Sequence, residues 1–170
     1  MNAPVELQLN QGQQEAADGF FKFLLSSDTE LIISGPGGVG KSFLISRLID
    51  KVIPSYRSTC QLMDIEPIYD AVFITATTNK AAEVLSANIG RPTQTIHSLL
   101  SLKVHTNFTT GKTSLKRTHG FQIIEKSVIF IDEVSTMDTD LLNILRESTH
   151  KCKLVFVGDH CQLAPVLETK

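Results

Sequence analysis

The sequence contains no apolar run long enough to cross a membrane and no secretory leader. No stretch approaches the roughly 18 apolar residues that a membrane span needs. The N-terminal segment MNAPVELQLN lacks the basic-then-apolar order of a signal peptide. The three cysteines, Cys60, Cys152 and Cys161, are an odd number without a CxxC pair, which favours ordinary core thiols over a disulfide framework or a zinc site. These absences predict a cytoplasmic protein with no membrane partner.

Acidic residues are missing from one long segment. Residues 84–124 contain no Asp or Glu but five Lys and Arg, which leaves a net charge of −7 for the rest of a chain whose total is −2. Within this segment, Val104, Thr106 and Phe108 alternate with polar residues before a turn at Thr110-Gly111, which predicts a solvent-facing β-hairpin, polar on both sides. Chance clustering on a solvated face is one interpretation. The other is a surface for an anion larger than a nucleotide.

The remaining pattern predicts one α/β domain over residues 1–170. Apolar residues recur at helical spacing in four segments: Ala17, Phe20, Phe21, Leu24; Ile45, Leu48, Ile49, Val52; Ala81, Ala82, Leu85, Ile89; and Leu141, Ile144, Leu145. Between them lie the short apolar runs LIIS, AVFITA, VIFI and LVFV, which begin at residues 31, 71, 128 and 154. Such runs are typical of strands buried on both faces. Their alternation with helices predicts a parallel sheet with right-handed crossovers, covered on both sides.

A glycine-rich loop between a predicted strand and a predicted helix is the strongest motif. The segment GPGGVGKS has the form GxxxxGK[ST], in which backbone N–H groups and a helix N-terminus surround phosphate oxygens. It predicts ATP binding, with Lys41 on the β- and γ-phosphates and Ser42 on Mg²⁺. The predicted nucleotide-binding residues of the loop are Gly35, Pro36, Gly37, Gly38, Val39, Gly40, Lys41 and Ser42.

Two adjacent carboxylates follow a buried run. The segment VIFIDEVS places Asp132 and Glu133 at the carboxyl end of a predicted strand, where ligands bind in open α/β sheets. Asp132 is predicted to hold the Mg²⁺ shell, and Glu133 to orient and deprotonate the attacking water. Downstream of a phosphate loop, the pair indicates a hydrolase rather than a simple nucleotide binder.

Five segments together resemble the superfamily 1 DNA helicases. They are GPGGVGKS, ITATTNKAAEVL, TIHSLL, VIFIDEVS and FVGDHCQLAPV, and their order and spacing are most similar to the RecD-like, Dda-like group. The likeness runs from LNQGQQEAA to Val166. It implies a RecA-like P-loop NTPase domain, the first motor domain of an ATP-dependent 5′→3′ helicase that moves on single-stranded DNA and unwinds duplex, in a bacterium or a phage-infected host.

The resemblance also implies roles for single residues. On the nucleotide side, Gln162 would sense the γ-phosphate, and Gln13 would contact adenine, with Gln11 and Gln14 as rivals. The predicted catalytic residues are thus Lys41, Asp132, Glu133 and Gln162.

On the DNA side, TTNKAA resembles the segment that contacts single strands, with Thr77 in place of the usual proline. The hairpin, at about 101–120, falls where this group inserts a pin that separates the duplex. The implied DNA-binding residues are Thr78, Lys80, Thr95, His97, Lys112, Lys116 and Arg117. For His97, packing at a helix cap is an equal alternative.

Members of this family continue into a second RecA-like domain that supplies arginine fingers. We expect the chain to be an N-terminal piece that lacks this domain, binds ATP and Mg²⁺, and hydrolyses ATP weakly. The expected partners are single-stranded DNA, single-strand/duplex junctions, the second domain, and replication or single-strand-binding proteins. The alternative is a self-contained nucleotide-dependent switch that binds DNA or a partner. A P-loop phosphotransferase and an AAA-type ATPase are disfavoured, the latter because Gly158-Asp159 and Gln162 follow the DE motif instead of a polar strand end and a helical lid.

Overall fold

A computed structural model describes residues 8–35, 40–67 and 69–159 of the chain. The helices are α1 (Gln11–Leu25), α2 (Lys41–Arg47), α3 (Ile53–Leu62), α4 (Asn79–Ile89), α5 (Ile96–Leu99) and α6 (Thr139–Glu147), with a π-helical segment Leu48–Val52 and a 3₁₀ turn Val134–Thr136. The strands are β1 (Glu30–Gly35), β2 (Ala71–Ala76), β3 (Gln94–Thr95), β4 (Leu102–Thr106), β5 (Thr113–Arg117), β6 (Ile124–Glu125), β7 (Ser127–Asp132), β8 (Thr149–His150) and β9 (Lys153–Asp159).

Five strands form a parallel sheet in the order β1-β9-β7-β2-β3. All four predicted strands are present, and helices cover the sheet, so the predicted α/β class is confirmed. Because the strands are parallel, their carboxyl ends meet at one edge, where ligands bind in such sheets. Within the described ranges, no helix is long and apolar enough to cross a membrane.

Two apolar clusters hold the helices against the two faces of the sheet. On one face, α1, α2, the π-helical segment, α3 and α4 pack around Phe20, Leu48 and Phe130, none of which has measurable exposure. On the other face, α5 and α6 pack around Ile129 and Phe156. Cys60 and Cys152 are buried thiols, as predicted for core cysteines.

The expectation that every strand is buried on both faces is wrong for β1. Ile32 is 48% exposed, whereas the next residue, Ile33, is 8% exposed. The physical reason is position: β1 is an edge strand of the described sheet, and the cluster around α5 and α6 takes in residues of β2, β7 and β9 but, among the described residues, none of β1.

A π-helical segment and a further helix extend the helix that follows the phosphate loop. The apolar periodicity indicates a helix ending near Val52, but helical structure continues through α3 to Leu62. Pro54 stands in the first turn of α3 and has no N–H to donate to the preceding turn, which accounts for the switch to a wider helical turn immediately before it.

The predicted hairpin is present as β4 and β5, but it is not polar on both sides. Leu102 is buried and Leu115 half-buried, and both join the cluster around α5 and α6. The alternation of Val104, Thr106 and Phe108 identified the strand correctly, but the sequence does not reveal that the base of one face packs against the domain.

A buried lysine joins the end of α1 to the beginning of β9. Lys153 is 4% exposed, and its Nζ donates to three backbone oxygens: those of Phe23 at 3.0 Å, Ser26 at 2.8 Å, and Asp28. Burial lowers the pKa of Lys153 from its ordinary value, and the nearby Asp28 charge partly opposes this. The ammonium thus satisfies carbonyl groups that the helix end and the following loop leave unpaired.

We expect Lys153→Met to lower the free energy of unfolding by about 2 to 4 kcal/mol, because it removes charged donors from buried carbonyls. Urea unfolding followed by circular dichroism measures this. The exposed Lys22, in the last turn of α1, provides the control, since Lys22→Met changes stability by less than about 0.5 kcal/mol. Equal effects of the two substitutions would contradict the role given to Lys153.

Candidate nucleotide and nucleic-acid site

The carboxyl ends of β2 and β7 bring the predicted nucleotide and DNA residues together. Ser42, Asp132 and Glu133 line a cavity of about 300 Å³, and the same cavity is lined by Thr78, Lys80 and Thr136. The strand register explains this arrangement, because Ala76 at the end of β2 pairs with Asp132 at the end of β7. The residues after each strand are therefore neighbours.

Glu133 has an unusual backbone conformation. Its φ of 58° and ψ of 41° place it in the left-handed region, which costs a residue with a side chain about 1–2 kcal/mol. The turn is held by its own hydrogen bonds, since the Glu133 carbonyl accepts from the Thr136 amide at 3.1 Å and from the Thr136 hydroxyl at 3.0 Å. This sharp reversal directs the chain away from the sheet immediately after Asp132.

A third donor to the Glu133 carbonyl comes from outside the turn. The Thr77 hydroxyl, one residue beyond β2, donates to this oxygen at 3.0 Å, and its oxygen is in contact with the Thr136 hydroxyl. Since each hydroxyl has one proton, Thr136 donates either to Thr77 or to the Glu133 carbonyl. Sequence reasoning noted Thr77 only as a replacement for proline and missed Thr136. No local pattern relates residues that are 56 positions apart, so only the strand register could reveal this contact.

Gln13 is the N-terminal glutamine that reaches the phosphate loop. Its Nε2 donates to the Gly40 carbonyl at 3.1 Å, and its Oε1 accepts from the Asn10 amide at 3.0 Å in a capping box at the start of α1. The rivals form hydrogen bonds along α1 instead, Gln11 with Glu15 and Gln14 with Asp18.

The backbone conformation of Gly40 favours glycine, and a side chain there would also displace the end of Gln13. The φ of Gly40 is +100°, and a Cβ there would lie 2.6 Å from Gln13 Nε2. Gly35 ends β1, and Lys41 and Ser42 begin α2, so the ends of the loop have the predicted strand and helix context. Pro36, Gly37, Gly38 and Val39, like Gln162, lie outside the described residues.

The donors at the cavity suit a hard cation. Ser42 and Asp132 offer a hydroxyl and a carboxylate oxygen, and Mg²⁺ in phosphate sites takes one or two such ligands with phosphate and water oxygens. In the described part of the chain, no group of three or more His, Cys, Asp or Glu side chains could hold a metal. The residues therefore fit a cation that arrives with phosphate oxygens.

The predicted DNA residues near the sheet have definite structural roles. The Thr78 side chain accepts from the Ala81 amide at 3.2 Å and caps α4, and the Thr95 side chain accepts from the Ser98 amide at 3.1 Å and caps α5. His97 lies half-buried within α5, so Thr95 rather than His97 is the cap. A second cavity of about 590 Å³ lies between α4 and β3, lined largely by polar residues, Thr95 among them.

The hairpin has one basic face. Lys103 and Lys116 are directly opposite across the strands, and His105 lies on the same face two residues further along β4. Like charges in such a pair are destabilising, which favours an anion over this face. Sequence reasoning named Lys116 but not Lys103 as a site residue, because the pairing depends on register.

Two other predicted hairpin contacts lie elsewhere. Lys112 lies in the loop at the tip, whereas Arg117 is on the opposite face. There the Arg117 guanidinium lies 4.2 Å from the centre of the Phe121 ring and 3.6 Å from Glu147. Phe108, in the tip loop, is 96% exposed.

A parallel sheet with a GxxxxGKS loop after its first strand and a DE pair after a neighbouring strand defines a P-loop NTPase domain. The chain belongs to the family described as the AAA domain, whose model matches residues 8–170. The expectation that disfavoured an AAA-type ATPase was therefore wrong at the level of the family. It relied on residues after the DE motif, many of which lie outside the described ranges, and such features vary within P-loop folds.

Known proteins add a DNA-related relative. The chain is 26% identical over 159 residues to the ATP-dependent DNA helicase dda of Enterobacteria phage T4. The matched region covers 93% of this chain but only 33% of the relative. Among solved structures, it resembles the large terminases of bacteriophage HK97 (TM-score 0.49, 14% identity, 92% of this chain and 34% of that one) and of the thermophilic bacteriophage D6E (0.48, 15%, 89% and 39%). These two scores are too low to support a functional comparison.

We expect Glu133→Gly to raise the free energy of unfolding by about 1 kcal/mol, since glycine adopts the left-handed conformation without penalty. Ser135→Gly, two residues further in the 3₁₀ turn, provides the control and lowers stability by about 0.5 to 1 kcal/mol. Denaturant unfolding of the three proteins measures both effects. Destabilisation of equal size by the two glycines would show that Glu133 is not strained.

Proposed function

We propose that the chain is the ATP-binding first motor domain of a DNA helicase, which translocates on single-stranded DNA in the 5′→3′ direction. The observation that carries this proposal is the shared cavity: predicted nucleotide residues (Ser42, Asp132, Glu133) and predicted DNA residues (Thr78, Lys80) line one space. Lys80 adds a basic side chain of α4 to this cavity, which suits a second anionic ligand beside the nucleotide. The relationship to the phage T4 helicase supports the same function.

Hydrolysis would use residues from three elements. Lys41 at the start of α2 would hold the β- and γ-phosphates, and the neighbouring Ser42 would ligate Mg²⁺. Mg²⁺, held by Ser42 and Asp132, would supply charge neutralisation for the transferred phosphoryl group. Glu133, on the wall of the cavity, would orient the attacking water and accept its proton. Gln162 is proposed as the γ-phosphate sensor and Gln13 as the adenine contact.

DNA would bind along the carboxyl ends of the sheet strands and extend to the hairpin. Lys80 and the polar cavity beside Thr95 would hold the phosphate backbone of a single strand. His97 of α5 lies in the chain between Thr95 and Ser98, which both line that cavity, and is proposed as a further contact. On the hairpin, Lys103, Lys112 and Lys116 would face the strand. An exposed aromatic side chain such as Phe108 suits stacking on a base at a single-strand/duplex junction.

The complete reaction is proposed to need a second RecA-like domain. The chain spans about a third of the T4 relative, and an arginine finger supplied from outside a P-loop domain is worth about 10³ to 10⁵ in rate. The isolated chain would therefore bind ATP and Mg²⁺ but hydrolyse ATP slowly. Replication or single-strand-binding proteins are proposed as further partners.

We expect the chain to bind ATP with Mg²⁺, and Lys41→Ala to weaken binding by about 10- to 100-fold, because it removes a charged donor to phosphate. Titration with a fluorescent ATP analogue measures the affinity, with Lys22→Ala as a surface control that leaves it unchanged. Unaltered affinity in Lys41→Ala would refute the phosphate role. Rapid DNA-stimulated turnover by the isolated chain would favour a self-contained machine over a domain that needs a partner.

Single-strand affinity is expected to fall with salt at a slope of about −0.7 for each phosphate contact. Lys103→Ala and Lys116→Ala should each reduce the magnitude of that slope by about 0.7, because each removes one contact from the basic face. Fluorescence anisotropy with labelled oligo(dT) at several salt concentrations measures it. Arg117 is a DNA contact predicted from the sequence, but it lies on the opposite face of the hairpin. Arg117→Ala therefore tests whether the salt slope depends on the face that a basic residue occupies. An unchanged slope in both lysine variants would remove the hairpin from the DNA path.

A further inference from the structure

The turn that presents Glu133 is joined to the end of the neighbouring strand by the side chain of Thr77. Thr77 is 8% exposed, and its hydroxyl lies 3.0 Å from the Glu133 carbonyl oxygen and in hydrogen-bond contact with the Thr136 hydroxyl. The Thr136 hydroxyl oxygen also lies 3.0 Å from the Glu133 carbonyl oxygen, and its single proton is shared between that oxygen and Thr77 as alternative acceptors. The two threonines therefore converge on one backbone oxygen of the residue that carries the proposed general base.

The other side of Thr77 leads directly to the proposed DNA contacts. The next residue, Thr78, caps α4, and Lys80 lies in the first turn of that helix. Both Thr78 and Lys80 line the cavity that Glu133 also lines. A displacement of the start of α4 would thus move Thr77 through the backbone. The Thr77 hydroxyl would then move the carbonyl of Glu133.

Earlier in the same two strands, a buried side-chain hydrogen bond also joins β2 to β7. Thr75, two residues earlier in β2, has no measurable exposure, and its hydroxyl donates to the Phe130 carbonyl of β7 at 2.7 Å. The ladder between β2 and β7 extends to Ala76 and Asp132. Beyond Ala76 the two strands no longer pair, and there the Thr77 hydroxyl provides a side-chain link to the DE turn.

We propose that Thr77 is a positioning residue for Glu133, and that single-stranded DNA at the start of α4 controls ATP hydrolysis through this hydrogen bond. The proposal rests on the proposed function, and it concerns how the two ligands communicate. The left-handed conformation of Glu133 makes such control effective, because this conformation persists only while its surroundings hold it. A proline at position 77 would have no hydroxyl to donate.

Three substitutions separate positioning from general stability. Thr77→Val keeps the shape and removes the hydroxyl, whereas Thr77→Ser keeps the hydroxyl. Thr75→Val is the matched control, since it removes a buried hydroxyl from the same strand that also donates to a β7 carbonyl, but one remote from the DE turn. Thermal unfolding of each variant shows the stability cost that is common to Thr77→Val and Thr75→Val.

The experiment measures single-turnover ATP hydrolysis with and without oligo(dT), together with ATP and oligo(dT) affinities. Single-turnover conditions resolve even the slow hydrolysis expected of the isolated chain, and for Thr77→Val we expect oligo(dT) to leave this slow rate unchanged while both affinities remain within about twofold of the wild-type values, since a small misplacement of a catalytic group costs rate rather than binding. Thr77→Ser should restore the stimulation, and Thr75→Val should retain it. A wild type that binds both ligands but whose slow rate does not respond to oligo(dT) would overturn the inference.

A second readout does not depend on turnover. At 18.7 kDa the chain is suitable for ¹⁵N NMR, and oligo(dT) should shift the Thr136 amide signal in the wild type and in Thr75→Val but not in Thr77→Val. Equal stimulation and equal shifts in Thr77→Val and Thr75→Val would overturn the inference alone. A wild-type chain that binds no ATP or no oligo(dT) would overturn the proposed function, and the coupling with it.

Discussion

The parallel pairing of β2 with β7 is the constraint on which the candidate site depends. Because Ala76 pairs with Asp132, the first residues after each strand are forced to be neighbours. This register places the cap of α4 beside the DE turn, and it brings Ser42 of α2 and Lys80 of α4 to one cavity. A shift by one residue would turn the alternating side chains of a strand to the opposite faces and separate these groups. The buried Thr75 hydroxyl, bonded to the Phe130 carbonyl, stabilises the register from within the sheet.

In the candidate site, Glu133 has a strained backbone conformation and is followed by well-packed apolar residues. Val134 and Met137, which flank the turn after Glu133, are buried in the cluster around α6, while Glu133 itself is exposed and in a left-handed conformation. Strain of this kind is commonly found where a side chain must point toward a ligand. The apolar anchors after the turn and the threonine donors beside it compensate for the cost, so the carboxylate can face the cavity without being buried.

The sequence predicted those features that depend on local pattern. Short apolar runs and helical periodicity located the strands of the main sheet and most of the helices, since burial on a pleated strand or a helix face leaves a periodic signal. It did not predict the continuation through α3, where Pro54 interrupts the pattern, or the exposed face of β1. The Thr77 link and the Lys103–Lys116 pair depend on register, which residues far apart in the chain determine together. Among the three candidate glutamines, Gln13 differs from its rivals by its capping box with Asn10 and its hydrogen bond to Gly40, neither of which the sequence reveals.

The anchoring of α1 has a consequence for the loop between α1 and β1. One end of α1 is fastened to the first residue of β9 through Lys153, and the other end reaches Gly40 through Gln13. The helix therefore connects the amino end of β9 to the phosphate loop, which follows the carboxyl end of β1. A protease cut in residues 26–29 would release the Ser26 and Asp28 carbonyl oxygens from Lys153. With this end of α1 less firmly held, Gln13 would no longer stay at the phosphate loop. Nicking at a point far from the nucleotide would then weaken its binding.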